Sequence, residues 1–321
     1  MWKKLLMLMA CCSLPPAFAT TDWPERPVHV IVAYSAGGTG DNLIRLISDQ
    51  LSEQLGQPII VENKPGAGGN IASAYVAKAK PDGYTLLLGA TNNYTANQYL
   101  YPSMRLDPAT DLKPVAVLGD VPSVIYINGS LEANDFESFS ALAKAKKGEF
   151  NYGSPSIGST PHLVAELINR DQQWDLHHIS YKGAAPAVLG LLANDVQFYL
   201  GGIGLGDQYV KTGQLKAIAI GAKERVAELP DVPTFEEIGL GHIKASNWWG
   251  VTAPKDTPDD VITTLQNAFV TALSDPDTVE RLRKMGIITW REGQDETLQN
   301  LIKTESPYWE KVISDLDVQI N

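Results

Sequence analysis

Buried strands alternate with amphipathic helices along most of the chain. Residues 28–33 (Val-His-Val-Ile-Val-Ala) form an apolar run that ends at a glycine turn, and after Asp41 the apolar side chains recur at the spacing of one helix face. The same order of strand, glycine turn and helix returns over residues 58–79, and a third strand is predicted at residues 84–89. This rhythm predicts a parallel sheet with helices on its faces.

A second set of elements follows and has its own candidate core. The pattern predicts strands at residues 121–127, 150–153, 178–181, 196–200 and 215–220, and helices at residues 139–146, from Thr160 onward and at 184–192. A further strand at residues 248–253 is expected to return to the first sheet, followed by helices from Pro258. The prediction is therefore an α/β fold with a central cleft, where ligand sites tend to lie. Its first lobe would comprise residues 20–121 and 222–321, and its second lobe residues 122–221.

Composition limits the kinds of protein that fit. The 321 residues are 44% apolar, which is enough for a sizeable core divided over about two domains. The 37 acidic residues exceed the 26 basic ones, giving a formal net charge of −11. Such a surface disfavours nucleic acid and acidic lipid as partners. Any anionic ligand would have to be held by local donors in the cleft.

The N-terminus carries an export signal. Two lysines precede a short apolar run over residues 5–14, and residues 17–19 (Ala-Phe-Ala) form a cleavage signal. We expect cleavage after Ala19, with lipoprotein processing at Cys11 as the alternative. The only other cysteine is Cys12, so cleavage after Ala19 would leave a mature chain without disulfides or thiolate ligands.

Glycine turns before helices are candidate anion sites. In residues 34–41 the glycines free the backbone, and the next helix start presents unpaired N–H groups. The same residues also fit an ordinary turn capped by Asp41. Leu43 stands where a dinucleotide fingerprint needs its third glycine, so that motif is absent. At the later helix start, the N–H groups of Gly183 and Ala184 are the preferred donors.

A hydroxyl-rich loop over residues 152–160 precedes another predicted helix. Ser156 lacks the glycine two residues earlier that a nucleophile elbow requires, so hydrogen bonding to a carboxylate is favoured over catalysis. A secreted hydrolase that uses Ser154 or Ser156, with His162 as its base, is the alternative.

The histidines do not indicate a metal site. His177 and His178 are adjacent and would point to opposite faces of a strand. His29 and His242 have no acidic or histidine neighbour at ligand spacing, and a structural role is favoured for His162. We therefore expect no metal and no cofactor.

Trp248 and Trp249 lie in the last predicted strand. Because side chains alternate along a strand, we expect only one of them to be buried. Core packing is favoured over stacking on a ligand for either residue.

Seven segments, taken in order, match one known pattern. They are residues 37–41 (Gly-Gly-Thr-Gly-Asp), 55–58 (Leu-Gly-Gln-Pro), 61–69 (Val-Glu-Asn-Lys-Pro-Gly-Ala-Gly-Gly), 81–86 (Pro-Asp-Gly-Tyr-Thr-Leu), 181–186 (Tyr-Lys-Gly-Ala-Ala-Pro), 229–234 (Leu-Pro-Asp-Val-Pro-Thr) and 249–254 (Trp-Gly-Val-Thr-Ala-Pro). Through them the chain resembles the Bug family, the periplasmic solute receptors of tripartite tricarboxylate transporters, over essentially the whole mature chain.

The resemblance implies a type II periplasmic binding protein fold and no catalysis. Two lobes would close on a mono-, di- or tricarboxylate or an amino acid, and a monomeric receptor would deliver it to a membrane permease. Presentation of the closed form to a membrane sensor kinase is an alternative that the sequence does not separate from transport.

The resemblance also places the ligand contacts on loops of both lobes. They are Tyr34, Ala36, Gly37, Gly38, Asp41, Thr91 and Asn92 on the first lobe, and Ser154, Ser156, Gly158, Ser159, Thr160, Tyr181, Gly183 and Ala184 on the second. The chain departs from the family pattern at Ala33, Tyr34 and Gln197, and Tyr94 is expected to add bulk near the first-lobe loop.

Overall fold

The computed structural model describes residues 23–289 and 297–320. The expected signal peptide and the alternative lipidation site at Cys11 lie outside these residues. The strands are β1 (Val28–Val32), β2 (Ile59–Asn63), β3 (Thr85–Ala90), β4 (Leu112–Asp120), β5 (Ser123–Asn128), β6 (Asn151–Ser154), β7 (His177–Ser180), β8 (Phe198–Gly202), β9 (Leu215–Ile220) and β10 (Trp248–Pro254).

Helices connect these strands and close the chain. They are α1 (Thr39–Leu55), α2 (Asn70–Ala77), α3 (Thr91–Thr95), α4 (Asn97–Leu100), α5 (Pro108–Asp111), α6 (Phe136–Ala145), α7 (Thr160–Asp171), α8 (Ala184–Leu192), α9 (Ile203–Lys211), α10 (Asp259–Ser274), α11 (Pro276–Lys284) and α12 (Leu298–Leu316). Within the described ranges, none of them is both long enough and apolar enough to cross a membrane.

The first sheet has the strand order β2-β1-β3-β10-β4. Strand β1 is parallel to β2 and β3, while β10 runs antiparallel to β3 and β4. The apolar stripe of α1, which includes Leu43 and Ile47, packs with Leu265 and Phe269 of α10 on one face. Val76 of α2 and the start of α12 cover the other face. Burial on both faces explains the nearly continuous apolar runs of the central strands.

The second sheet repeats this plan with the order β7-β6-β8-β5-β9. Strands β7, β6 and β8 are parallel, and β5 is antiparallel to β8 and β9. Phe139 of α6, Leu163 of α7 and the buried Trp174 cover one face, while Val188 of α8 and Ile203 of α9 cover the other. The predicted architecture of two α/β lobes is confirmed.

Two neighbouring segments carry the chain between the lobes. The first joins β4 to β5 and the second leads into β10; Asp120 links them, since its carboxylate accepts hydrogen bonds from Ser246 Oγ (2.7 Å) and the Asn247 N–H (3.1 Å). Burial raises the pKa of this carboxyl above its usual value. The carboxylate thus ties the two crossing segments together at the hinge.

The second crossing lies later in the chain than the boundary at residue 222 that the sequence suggested. After β9 the chain stays with the second lobe, where Phe235, Leu240 and Ile243 pack in its core. Thr234 also forms a bridge to Ile220. The chain reaches the first sheet again only with β10.

Helix α12 contacts both lobes. Leu298 and Leu301 pack against the first sheet, whereas Trp309 and Val312 pack in the core of the second lobe. Pro307 lies between these two halves. Arg170 of α7 holds the end of the helix, because its guanidinium donates hydrogen bonds to the carbonyl oxygens of Asp315 and Leu316.

Candidate functional site

A cavity of about 520 Å³ lies between the lobes. The loops that follow β1, β2, β3, β6 and β7 form most of its wall, as expected for a ligand site at the carboxyl ends of parallel strands. Its lining comprises residues 33–39, 65–69, 90 and 92 of the first lobe, residues 121, 123, 155, 156, 159–161, 181–186, 199, 201, 202 and 205 of the second lobe or its crossing, and residues 247 and 249. Lys182 is the one charged side chain among these described lining residues.

The first-lobe loop is held in shape from behind by Asp41. Its carboxylate accepts hydrogen bonds from the Gly37 N–H (2.8 Å) and Arg45 Nε (2.9 Å). Burial alone would raise the pKa of this carboxyl, but the hydrogen bonds from Gly37 and neighbouring side chains outweigh it and lower the pKa. Asp41 itself is only 4% exposed and is absent from the cavity lining. Its role in the structure is to position the loop of Tyr34, Ala36, Gly37 and Gly38, which do line the cavity.

The first-lobe wall includes a hydrogen-bonded amide cluster. The Tyr34 hydroxyl donates to Asn92 Oδ1 (2.7 Å), and Asn92 Nδ2 donates to the Gly68 carbonyl (3.0 Å). Asn92 lines the cavity, but these bonds use its amide to position Tyr34 and the turn after β2. Thr91 lies outside the lining and donates to the Trp248 carbonyl (3.2 Å).

Trp249 lines the cleft close to the crossing segments. A Cβ at Gly40 would lie 2.1 Å from a carbon of its indole ring. The first turn of α1 can therefore pack against this ring only because residue 40 is glycine. The ring also makes an edge contact with Tyr34, with centroids 5.4 Å apart. Among the described residues, Trp249 Nε1 and the nearby Asn247 Oδ1 have no hydrogen-bond partner although both atoms are buried. Both residues line the cleft, so these two atoms are unpartnered polar groups in its wall.

Both tryptophans of β10 are buried, in contrast to the expectation for one of them. Trp248 is fully buried and Trp249 is 5% exposed. They face opposite sides of the sheet, as alternation requires, but both sides are covered. Trp248 packs towards α12, where its indole N–H donates to Glu305 Oε2 (3.1 Å).

The hydroxyl-rich loop before α7 contains two hydroxyls without a partner, both on residues that line the cleft. Ser156 Oγ and Thr160 Oγ1 are buried and have no partner within the described structure. Helix α7 begins at Thr160 as predicted, and Ser159 is its N-cap: the Ser159 Oγ accepts a hydrogen bond from the His162 N–H (3.4 Å). Ser156, Ser159 and Thr160 line the cavity, whereas Ser154 and Gly158 do not. Gly158 packs instead beneath the loop, with its Cβ direction facing Leu100.

The start of α8 completes the second-lobe wall. Gly183 has a φ of 116°, a conformation that favours glycine. Its N–H donates to the Pro155 carbonyl (2.8 Å), so this N–H joins two loops and is not free for a ligand. The Ala184 N–H, in contrast, has no acceptor in the described ranges. Tyr181 and Lys182 also line the cavity, and Lys182 is exposed.

Several lining residues were not among the predicted site residues. They are chiefly the turn at residues 65–69, Tyr199 and the glycines at 201 and 202, and Asn247 and Trp249 beside the hinge. The glycine-rich composition of the first two groups is a signal that could have identified them. Asn247 has no such signal, because its place in the cleft depends on where the chain crosses between the lobes.

The proposed hydrolase arrangement is not assembled. His162 Nδ1 accepts a hydrogen bond from the Gly158 N–H (3.2 Å), and Ser156 Oγ has no partner within the described part of the chain. The imidazole that does contact a serine is His178, on the buried Ser154 outside the cavity lining. No group of three or more His, Cys, Asp or Glu side chains within residues 23–289 and 297–320 is arranged to hold a metal ion.

Comparison with known proteins identifies the family. The family model of the TctC receptors, described as tripartite tricarboxylate transporter family receptor, matches residues 43–318. Protein BugT of Bordetella pertussis is 32% identical over 315 residues, which are 98% of this chain and 96% of BugT.

Similar solved structures support the same family assignment. MatC from Rhodopseudomonas palustris with bound malate is 32% identical, with a TM-score of 0.84 over 91% of this chain and 100% of MatC. A second R. palustris protein, solved with adipate, is also 32% identical, with a TM-score of 0.86 over 93% of this chain and 99% of that protein. The chain therefore belongs to the tripartite tricarboxylate transporter receptor family, the periplasmic solute-binding proteins that its ordered sequence segments resemble.

Proposed function

We propose that this receptor encloses a small mono- or dicarboxylate that has no ammonium group. The observation that carries the proposal is the make-up of the cleft: residues of both lobes that have uncommitted hydrogen-bonding groups line a cavity with no acidic side chain among its described lining residues. Ser156, Thr160 and Trp249 supply unpartnered side-chain donors, and Ala184 supplies a backbone N–H at a helix start.

The donors suit a carboxylate. A hydrogen bond to a charged group contributes about 1.5–3 kcal/mol, and several such bonds offset the cost of taking a carboxylate out of water. The net charge of −11 repels anions at long range, so these local donors have to provide the attraction. The exposed Lys182 adds one positive charge at the edge of the cleft.

An ammonium group does not suit this cleft. A buried cation needs a counter-charge or a full set of acceptors, and none of the described lining residues is acidic. The similar structures solved with malate and with adipate hold ligands that have carboxylates and no ammonium group. We therefore favour simple carboxylates over amino acids.

Matched pairs of ligands test this proposal. Malate and aspartate differ only in a hydroxyl or an amino group at one carbon, and adipate is compared in the same way with 2-aminoadipate. We expect at least one carboxylate to raise the melting temperature in a concentration-dependent manner, with little shift from its amino partner. A panel of mono- and dicarboxylates without any shift, or a larger shift from the amino partner, would contradict the proposal.

Removing the free hydroxyls is expected to weaken binding without loss of stability. Each of Ser156→Ala and Thr160→Val removes a donor that has no partner within the protein, so the free energy of urea unfolding should change by less than about 0.5 kcal/mol. The dissociation constant of the best carboxylate should rise about tenfold for each variant, as measured by calorimetry. Ser180→Ala, at the exposed end of β7, is the matched control and should bind like the wild type. Equal affinities for all four proteins would contradict a ligand role for these hydroxyls.

Transport follows from lobe closure in this proposal. The ligand would dock on the first lobe, and rotation about the two crossing segments would add the second-lobe donors. The monomer would then pass the ligand to the permease of a tripartite transporter, a role supported by its family. Cleavage after Ala19 would release the mature receptor into the periplasm. Mass spectrometry of the natively exported protein tests the cleavage site, and light scattering tests the monomer.

A further inference from the structure

Two histidines lie directly behind the hydroxyl-rich loop of the second lobe. His162 of α7 and His178 of β7 have ring centroids 4.0 Å apart. Tyr152 of β6 stacks on His178 at a centroid distance of 4.9 Å. His162 is 6% exposed and His178 is half-buried. Neither histidine belongs to the cavity lining, so the carboxylate site does not account for them.

The hydrogen bonds of this pair end on the loop. The Gly158 N–H donates to His162 Nδ1 (3.2 Å), which must therefore carry no proton. His178 Nε2 lies 2.7 Å from Ser154 Oγ, and Ser154 Oγ lies 3.1 Å from the Ser156 carbonyl. Because a carbonyl can only accept, the Ser154 hydroxyl donates to it and His178 Nε2–H donates to Ser154. The acceptor role of Nδ1 makes His162 neutral, whereas His178 can donate through Nε2 in either protonation state. Each ring holds one part of residues 154–160.

The surroundings of the pair favour the neutral state of both imidazole rings. Burial, followed by repulsion from His178, lowers the pKa of His162 to about 3, and burial lowers the pKa of His178 to about 4. The apolar ring of Phe198 on β8 lies across from Tyr152. No carboxylate within the described ranges makes a hydrogen bond or an ion pair with either ring.

Few other titratable groups surround the pair, and their partners lie elsewhere. From β6, the Tyr152 hydroxyl donates to Glu166 of α7 (2.8 Å), which pairs with Arg170 (3.3 Å). Tyr181 packs behind Gly153, and Tyr101 lies on the far side of Gly158. Burial raises the pKa of both these tyrosines, so they stay uncharged in acid and at neutrality. The two histidines are therefore the groups whose charge would change here between neutral and mildly acidic pH.

We propose that His162 and His178 are positioning residues for the ligand loop: the neutral pair holds residues 154–160 in the shape that faces the cleft, and protonation of the pair releases them. The contact between this loop and a carboxylate rests on the proposed function, but the hold on the loop does not. A proton on His162 Nδ1 would place a donor against the Gly158 N–H. A second positive charge on His178 would lie on a ring whose centroid is 4.0 Å from that of His162, so the two charged rings would repel each other.

The sign of the pH effect follows from linkage. The histidine pKa is lowered in the closed loop and returns towards about 6.5 in an open, hydrated loop, so the open form binds more protons. The hold on the loop is complete above about pH 6.5 and is lost as the pH falls from there towards the closed-state pKa values of about 4 and about 3. Between about pH 7.5 and about pH 5, each histidine shifts the equilibrium towards opening by about 30-fold.

Hydrogen exchange of the ligand-free protein tests the proposal. The amides of Gly158, Ser159 and Gly183 are hydrogen-bonded within or against the loop and report its opening. His162→Asn keeps an acceptor near the position of Nδ1, His178→Gln keeps a donor near Nε2, and neither substitute titrates. The matched control is His177→Gln, which replaces the exposed neighbour on β7.

The expected result is specific to the loop and to the pair. At about pH 5, these amides should exchange at least about 30-fold faster in the wild type and in His177→Gln than in the double variant, with no difference at about pH 7.5. Peptides from α10 should show no difference at either pH. Equal exchange in all proteins at the lower pH would overturn the proposal.

Proton titration of the wild type by NMR gives a second readout that does not require the variants to fold. The C2 protons of His162 and His178 should titrate well below the ordinary histidine pKa of about 6.5. Titration of both residues near that ordinary value without faster loop exchange would also overturn the proposal. Neither measurement uses a ligand, so failure of the carboxylate screen would remain distinguishable from failure of this inference.

Discussion

Replacing Gly40 with alanine is expected to destabilise the protein and weaken carboxylate binding together. In an ordinary helix position the same change is stabilising by up to about 1 kcal/mol. Here the new Cβ would meet the buried indole of Trp249 at 2.1 Å, and the ring would have to move towards Tyr34 and the cleft. Overpacking of this kind costs about 1–3 kcal/mol.

Urea unfolding and calorimetry measure the two effects of this substitution. The free energy of unfolding should fall by about 1–3 kcal/mol, and the dissociation constant for the best carboxylate should rise more than about tenfold, because Trp249 Nε1 moves with its ring. Combining Gly40→Ala with Trp249→Leu removes the clash. The loss in the double variant should be smaller than the sum of the two single losses by at least about 1 kcal/mol. Additive losses, or a more stable Gly40→Ala protein, would show that this contact does not shape the cleft.

Tyr94→Phe is expected to cost stability while leaving the ligand site intact. The sequence suggested that Tyr94 adds bulk near the first-lobe loop, but it is fully buried behind the first sheet and stacks on Trp248. Its hydroxyl accepts a hydrogen bond from the Gly89 N–H (3.1 Å) and donates one to the Gly250 carbonyl (2.8 Å). It thereby bridges β3 and β10, where both backbone groups are buried.

Loss of the hydroxyl should lower the free energy of urea unfolding by about 2–4 kcal/mol, since two buried backbone groups lose their partner. The dissociation constant of a bound carboxylate should change less than about threefold, because Tyr94 is not part of the cavity lining. Tyr75→Phe, at a position that is 49% exposed, is the control and should unfold like the wild type. A small stability loss combined with a large affinity loss would assign Tyr94 to the ligand site instead.

Most of the fold could be predicted from hydrophobic patterning, and the main omission has a physical cause. Strand β4 was not predicted, because Pro114 interrupts an otherwise apolar segment and lacks the N–H that a central strand would need. In the structure β4 is an edge strand, paired only with β10, so the missing donor is tolerated. The late crossing into β10 could not be predicted either, since residues 222–246 have no regular periodicity and their place depends on the core of the second lobe.

The candidate site was only partly accessible to sequence reasoning. Helix starts and glycine turns identify which loops face the cleft, and most of the predicted residues do line it. The sequence could not show which donors are already committed. Gly183 donates to Pro155, Gly37 donates to Asp41, and Ser154 is turned away towards His178. These bonds depend on how the loops pack in the folded chain, and each one occupies a group that a ligand would otherwise use.

The helix that contacts both lobes limits how they can separate. Two adjacent crossing segments alone would let the lobes both open and twist relative to each other, whereas a third connection placed away from these segments resists the twist. Helix α12 provides that third connection. Pro307, which lacks a backbone N–H, interrupts the helical hydrogen bonding between its two packed halves. Separation of the lobes must therefore bend α12 near Pro307 or undo the packing of one of its two halves.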